Sequence, residues 1–257
     1  TGIIDFKKVS QKLEENIKAK GAEFYFGQKV QGIKIKKREA IISTPSQSFS
    51  SKLVINCAGL YSDKIARYTH QNVSVKIIPF RGEYYKIKPG KRHLVKNLIY
   101  PVPDPSFPFL GVHYTRMIDG GIEAGPNAVL AFAREGYKKT QINFPELAET
   151  LTWPGFLKVA SKYWKTGFGE MYRSFSKKAF TRALQKLIPE IEEKDLEIGG
   201  AGVRAQACDR SGGLLDDFLI YENESAINVC NAPSPATTSS LAIGEKIAQI
   251  AGKKFLD

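Results

Sequence analysis

Apolar residues recur along this chain in two rhythms. Val9, Leu13, Ile17 and Ala19 keep a helical spacing, with Thr1 or Asp5 placed to cap the helix and Gly21 to stop it. The rhythm then becomes alternation, and short strands are expected at 22–26, 28–36 and 39–43 before a polar turn at Thr44-Pro45-Ser46. Residues 52–57, KLVINC, read as a continuous apolar run, the pattern of a strand buried on both faces of a parallel sheet. That run ends in Ala58-Gly59, and Ser62 and Asp63 are good caps for a helix through Arg67.

From Val73 the pattern is antiparallel. A strand is expected at 75–87, and Gly120-Gly121 makes 111–117 and 121–125 a hairpin. Pro101, Pro103, Pro105 and Pro108 stiffen the approach to it. Helices are expected over 144–165, with Pro145 and Pro154 near helix starts, and over 176–187, ended by Pro189. Strands follow at 196–207, 218–221 and 226–230, then a last helix at 237–251 stopped by Gly252. The fold class is therefore mixed, α/β with an α+β middle. Ends in one style and a middle in another suggest two domains, the middle inserted into the first: 1–72 with 209–257, and 73–208.

Composition narrows the class. The chain has 257 residues, 42% hydrophobic and 25% charged, an ordinary globular balance able to bury a core. No run approaches the roughly 20 apolar residues of a membrane span, and no signal peptide is visible. The three cysteines, Cys57, Cys208 and Cys230, are scattered and show no C-x-x-C spacing. They read as buried free thiols of a reducing, cytoplasmic compartment, and no metal site is expected. The net charge of +12 is large. Lys34-Ile35-Lys36-Lys37-Arg38 reads as a solvated hairpin end, and no nucleic-acid signature accompanies it. Positive charge would steer an acidic small substrate, and peripheral contact with an inner membrane stays open.

Three places carry candidate chemistry. The hairpin presents His113, one of three histidines, close in sequence to Arg116. Alternation puts Val112 and Tyr114 on one face and His113 and Thr115 on the other; Arg116 then opposes His113 unless the strand bulges. The turn at Ala58-Gly59 opens a helix and permits close approach of an anion such as a phosphate. Asn231-Ala232-Pro233-Ser234-Pro235-Ala236 is a loop of fixed shape, after which Thr237-Thr238-Ser239-Ser240 opens a helix whose start favours negative charge. Each has a purely structural alternative: a satisfied histidine, an ordinary α/β turn, a capped helix. No G-x-G-x-x-G occurs, and Gly199-Gly200-Ala201-Gly202 has the wrong spacing.

Six longer motifs decide between these readings. They are PFRGEYY (79–85), NLIYPVPDPSFPFLGVHYTRMIDG (97–120), GPNAVLAFAREGY (125–137), GEMYR (169–173), GAGVRAQACDRSG (200–212) and NAPSPATTSSLAIG (231–244). Together they resemble the FAD-dependent oxidoreductases of the D-amino-acid-oxidase superfamily and, within it, the L-2-hydroxyglutarate dehydrogenase/oxidase branch. The resemblance implies a partial FAD-binding domain at 1–72 and 209–257 and a substrate domain at 73–208. It lacks the G-x-G-x-x-G strand with which that family begins, so the chain as given is expected to hold FAD poorly and the longer protein to be the enzyme.

The resemblance further implies oxidation of a small dicarboxylate 2-hydroxy acid, with hydride transfer to the flavin and onward transfer to oxygen or a quinone. His113 is the expected base. Arg204, then Arg81 and Arg116, are expected to hold substrate carboxylates, with Arg173 also in a family-like motif and Tyr85 or Tyr114 adding a hydroxyl. Val30 is expected by the adenine, Ala58 and Gly59 by the pyrophosphate, and Pro233, Ser234, Pro235, Thr237 and Thr238 by the flavin's electron-rich edge. Alternatives are another flavin oxidase or dehydrogenase, acting on an amino acid or glycerol 3-phosphate, and a non-catalytic fragment that does not bind FAD.

Overall fold

A computed structural model describes residues 2–37, 39–102, 111–232 and 235–256. In chain order the elements are α1 (Phe6–Lys18), β1 (Gly32–Lys36), β2 (Glu39–Ser43), β3 (Ser48–Ser51), β4 (Val54–Asn56), α2 (Ser62–Thr69) and β5 (Val75–Ile87). Then come β6 (His113–Arg116), β7 (Ile122–Gly125), β8 (Val129–Leu130), α3 (Phe144–Leu151), α4 (Pro154–Phe175) and α5 (Lys177–Leu184). The last are β9 (Leu196–Asp209), β10 (Leu219–Asn223), β11 (Ala226–Asn231) and α6 (Ser240–Leu256). The fold is mixed α/β. The chain divides into two compact units, residues 1–4 with 78–214 and residues 5–77 with 215–257.

The second of these units holds two sheets. β1, β2 and β3 form an antiparallel meander in which Ile33 pairs with Ile42 and Ile42 with Phe49. β10, β11 and β4 form the other, with β11 antiparallel to β10 and parallel to β4. β11 is buried at all six positions because α2 packs on it and a strand lies on either side. Its Asn228 is satisfied inside: Nδ2 donates to the Thr69 hydroxyl at 2.9 Å, and Oδ1 accepts from Asn56 at 3.0 Å.

The other unit is built on a five-stranded sheet, β6-β7-β5-β8 with β9 also paired to β5. On one face Tyr114, Ala124, Ile87 and Leu196 pack against Phe180, Leu184, Ile188 and Ile191. A second cluster joins Ile78 and Cys208 to Trp153, Phe156 and Val159. Two glycines make the packing possible. A β-carbon at Gly199 would lie 2.7 Å from the Tyr84 carbonyl oxygen, and one at Gly155 would lie 1.7 Å from that of Asp209.

Several expected elements shift. Residues 22–26 form no strand; Tyr25 packs edge-on against Phe49 of β3, which was not expected at all. β1 starts only at Gly32. The run 52–57 shortens to Val54–Asn56, with Ile55 43% exposed and Cys57 exposed, because β4 has a strand partner on one side only among the described residues. The helix of 144–165 is two: α3 ends at Leu151, Pro154 starts α4, and α4 runs through Gly167 and Gly169 to Phe175 with a bend at Tyr163. α5 begins one residue late, because the Ser176 side chain caps it by accepting from the Ala179 N–H, and it ends at Leu184. α6 begins at Ser240 and passes through Gly252 instead of stopping there.

Gly155→Ala should therefore destabilise the fold by about 3 kcal/mol, since the added methyl meets rigid backbone. Gly200→Ala, which meets no atom within 4 Å, should change stability by less than about 0.5 kcal/mol. Urea unfolding of the two variants measures the contrast.

Candidate functional site

The hairpin of β6 and β7 forms as expected: the Met117 N–H donates to the Gly121 carbonyl at 2.8 Å, and Gly120 turns with φ +79°. Register then decides which side chains face away from the core. Tyr114 pairs with Ala124 and Ala124 with Tyr85, so these three share the core face. The Tyr114 hydroxyl donates to the Leu184 carbonyl at 3.1 Å, and Tyr85 meets the Phe180 ring edge-on at 4.8 Å. Tyr85, expected to touch substrate, is partly buried and packs against the core cluster on this face. His113, Thr115, Glu123 and Tyr84 lie on the opposite face. Gly125, paired with His113, brings β7 close to β5: a β-carbon there would lie 2.7 Å from the Glu83 carbonyl oxygen.

His113 has a defined environment. Ile99 and Tyr114 exchange backbone hydrogen bonds of 3.0 and 2.9 Å, which aligns the neighbouring Tyr100. The Tyr100 ring stacks on the imidazole at 4.2 Å and 20°. The Nδ1 atom lies 3.1 Å from the Gly111 carbonyl oxygen. A carbonyl only accepts, so Nδ1 carries the proton and Nε2 of the neutral ring keeps its lone pair. Burial lowers the His113 pKa below its ordinary 6.5, and the Gly111 contact opposes that in part. The Tyr84 pKa is raised, first by burial and then by Glu123 and Tyr100. Tyr100 and Tyr84 escaped the sequence reading. Strand alternation from His113 carried the signal for Tyr84, once the register with β5 was known.

The arginines separate. Arg81 is 3% exposed and already engaged. Its Nε and Nη2 meet Glu83 Oε1 at 3.0 and 2.9 Å, and Nη1 donates to the Gly136 and Lys138 carbonyls at 3.3 and 3.4 Å. Asn127 completes the arrangement, accepting from the Glu83 N–H at 2.8 Å and donating to Glu83 Oε2 at 3.0 Å. This occupation counts against a substrate carboxylate at Arg81. Arg116, opposite His113 on β6, donates to the Val95 carbonyl at 3.1 Å. Arg173, in α4, pairs with Glu170. Arg204 stands exposed on β9, yet the protein around it lowers its pKa by desolvation. A cavity of about 590 Å³ lies beside α4, lined by apolar side chains such as Phe80, Leu130, Val159 and Leu187. Arg173 lines it, together with Gly111 and Val112 next to His113, whereas His113, Arg81, Arg116, Arg204 and Tyr85 do not.

In the other unit the Ala58-Gly59 turn is clamped below and open above. The buried Asn56 accepts from the Ala58 N–H at 3.1 Å and donates to the Ser62 carbonyl at 2.9 Å. Gly59 has φ +53°, and a β-carbon there would meet nothing within 4 Å. An exposed backbone turn after a parallel strand suits the close approach of an extended phosphate-bearing group, so these residues fit FAD. Val30 is half-buried in an irregular stretch before β1. Pro233 and Ser234 lie outside the described residues. Thr237 and Thr238 belong to the turn that precedes α6, not to its first turn: the Pro235 carbonyl accepts the Thr238 hydroxyl at 2.9 Å and the Ser239 N–H at 3.2 Å. Cys57 corrects the expectation of three buried thiols. Cys208 and Cys230 are buried, and burial pushes their pKa values up to about 11 and about 12.

Comparison with known proteins fixes the class. The model of the family described as FAD dependent oxidoreductase matches residues 1–250, and this chain belongs to that family. It is 65% identical over 256 residues to the L-2-hydroxyglutarate dehydrogenase of Indibacter alkaliphilus, covering 99% of this chain and 64% of that protein. It is 43% identical over 274 residues to the mitochondrial L-2-hydroxyglutarate dehydrogenase of Nematostella vectensis, covering 99% of this chain and 60% of that protein. The chain therefore spans less than two thirds of the length of these relatives. Among solved structures it shares its fold with the FAD-bound L-alpha-glycerophosphate oxidase of Mycoplasma pneumoniae. The TM-score is 0.58 at 19% identity, over 84% of this chain and 48% of that one.

Arg81→Ala should destabilise the protein by about 2 kcal/mol, because it removes a buried guanidinium with its bonds to the Gly136 and Lys138 carbonyls and leaves the half-buried Glu83 with Lys139 and Asn127 alone. A loss of that size in urea unfolding identifies the residue as structural. Unchanged stability would return Arg81 to the substrate set.

Proposed function

We propose that this protein oxidises L-2-hydroxyglutarate to 2-oxoglutarate with FAD. In this reading unit 78–214 is the substrate domain, and 5–77 with 215–257 is part of the FAD-binding domain. The observation that carries the chemistry is the 3.1 Å contact between His113 Nδ1 and the Gly111 carbonyl oxygen. With Nδ1–H directed at the Gly111 carbonyl, Nε2 is the atom able to take the proton of the substrate hydroxyl. Desolvation keeps the ring neutral at neutral pH, as a base requires. Stacking on Tyr100 holds its plane. FAD, when bound, supplies the hydride acceptor. The substrate class is supported by the relatives named above, which carry that activity in their names.

A diacid needs cations. Arg204 is proposed for a bidentate contact: it stands exposed on β9, and desolvation lowers its pKa. Tyr84 replaces Tyr85 as the tyrosine on the His113 face. In the FAD-binding unit the groups proposed to hold the cofactor are Val30, Ala58, Gly59 and the loop from Pro233 to Thr238. Electrons leave to oxygen or to a quinone. Among the described residues no helix is long and apolar enough to cross a membrane.

His113→Ala should lower kcat about 10²- to 10⁴-fold while the flavin stays bound. In the unmutated enzyme kcat/KM should rise with pH through an apparent pKa below 6.5 and then level, since the neutral ring is active and its pKa is depressed. Normal turnover by the variant removes His113 from the mechanism. Arg204→Lys should raise KM for the diacid about tenfold, through loss of one charged hydrogen bond. An unchanged KM reassigns that arginine. Turnover with glycine, sarcosine or glycerol 3-phosphate in place of L-2-hydroxyglutarate would overturn the substrate.

A further inference from the structure

We propose that the Tyr84 hydroxyl binds the substrate, donating a hydrogen bond to the carboxylate next to the carbon that is oxidised. The inference rests on the role of His113 as base given above and adds a second group to its site. Tyr85 pairs with Ala124 and His113 with Gly125, so His113, Gly125 and Tyr84 form one row across β6, β7 and β5. Two strand spacings, about 10 Å, separate the backbones at the ends of this row. Gly125 places no side chain between them. The Tyr84 ring leans over that gap: the β-carbon that Gly125 lacks would lie 3.2 Å from Tyr84 Cδ1. Imidazole and phenol therefore border one slot, floored by glycine.

The phenol is also uncommitted. The Tyr114 hydroxyl is used at the Leu184 carbonyl. Among the described residues the Tyr84 hydroxyl has no hydrogen-bond partner, and it is not sealed from solvent. The residue is half-buried, and burial, then Glu123 and Tyr100, raise its pKa above the ordinary 10. The phenol therefore keeps its proton at neutral and mildly alkaline pH and stays a donor. Glu123, on the same face, repels a carboxylate, and Thr115 lies directly opposite Glu123. Chemistry decides which substrate group Tyr84 meets. The hydroxyl that yields its proton to His113 Nε2 and the C1 carboxylate are attached to the same carbon. A donor bordering the His113 slot thus meets C1, and the distal carboxylate is left to a group outside this row. The bond is charge-assisted, and two contacts on one carbon fix how that carbon is presented for oxidation.

Tyr84→Phe removes the hydroxyl and keeps the ring. In the full-length, FAD-loaded enzyme it should raise KM for L-2-hydroxyglutarate and the Kd of 2-oxoglutarate, each about tenfold. Flavin content and unfolding midpoint should match those of the unmutated enzyme. The Kd is read without turnover, so it separates the contact from the chemistry carried by His113. The keto acid 2-oxopentanoate keeps C1 and lacks the distal carboxylate, and its binding should weaken by the same factor. Tyr85→Phe, on the opposite face, should change neither constant. Unchanged KM and Kd in Tyr84→Phe overturn the inference and leave His113 as the base. So do equal losses in Tyr84→Phe and Tyr85→Phe. A loss seen with the diacid but not with 2-oxopentanoate overturns the assignment to C1. An unmutated enzyme that does not turn over L-2-hydroxyglutarate overturns the reading of function, and this inference with it.

Discussion

The register of three antiparallel strands governs what unit 78–214 shows to solvent. Tyr114 opposite Ala124, and Ala124 opposite Tyr85, send Tyr114 into the core and turn Tyr85 onto the same face, partly buried against it. The same pairing sends His113, Thr115 and Tyr84 outward. A slip by one residue would exchange the two sets completely, because side chains in a strand alternate with a period of two. Three features prevent the slip. The Tyr114 hydroxyl is satisfied only at the Leu184 carbonyl, Gly125 is the residue that lets β7 approach β5, and Ile99 locks the outer edge of β6 by a two-way backbone pairing.

Polar residues of one type take different roles in this scaffold. Arg81 and Glu83 lie two apart on β5 and meet each other, with Asn127 and the carbonyls of Gly136 and Lys138 closing the remaining valences. Such a group is stable inside a protein only when nearly every donor and acceptor is matched. Its matching leaves little capacity for a ligand. His113 is the reverse case: one ring nitrogen is committed to Gly111 and the other is left with its lone pair. Partial commitment, not mere presence in a motif, distinguishes a group able to exchange a proton with a ligand.

Unit 5–77 with 215–257 follows another logic. Its central strand, β11, is buried throughout and carries Asn228, which binds Asn56 of β4 and Thr69 of α2. This buried amide network holds the turn at Ala58-Gly59 in shape from beneath and leaves its upper surface open. A turn so held is pre-organised for an extended ligand, since its own backbone order does not have to be created on binding.

Much of this organisation is legible in one dimension. Period-two alternation marked the hairpin around Gly120-Gly121, and 226–230 was marked as a strand, whereas the strand covered on both faces was expected at 52–57 and is found at β11. Pro145, Pro154 and Gly21 marked helix starts and a stop, since these follow from steric rules local to a few residues. The motifs around His113 and Asn231 pointed to flavin chemistry. What local rules could not reach was which of two adjacent tyrosines faces the histidine, which arginine is already paired, and that Ile55 and Cys57 stand exposed. Those depend on which strand lies beside which, and at what offset. Side-chain direction alternates with every residue while the partner comes from tens of residues away, so only the folded sheet decides it.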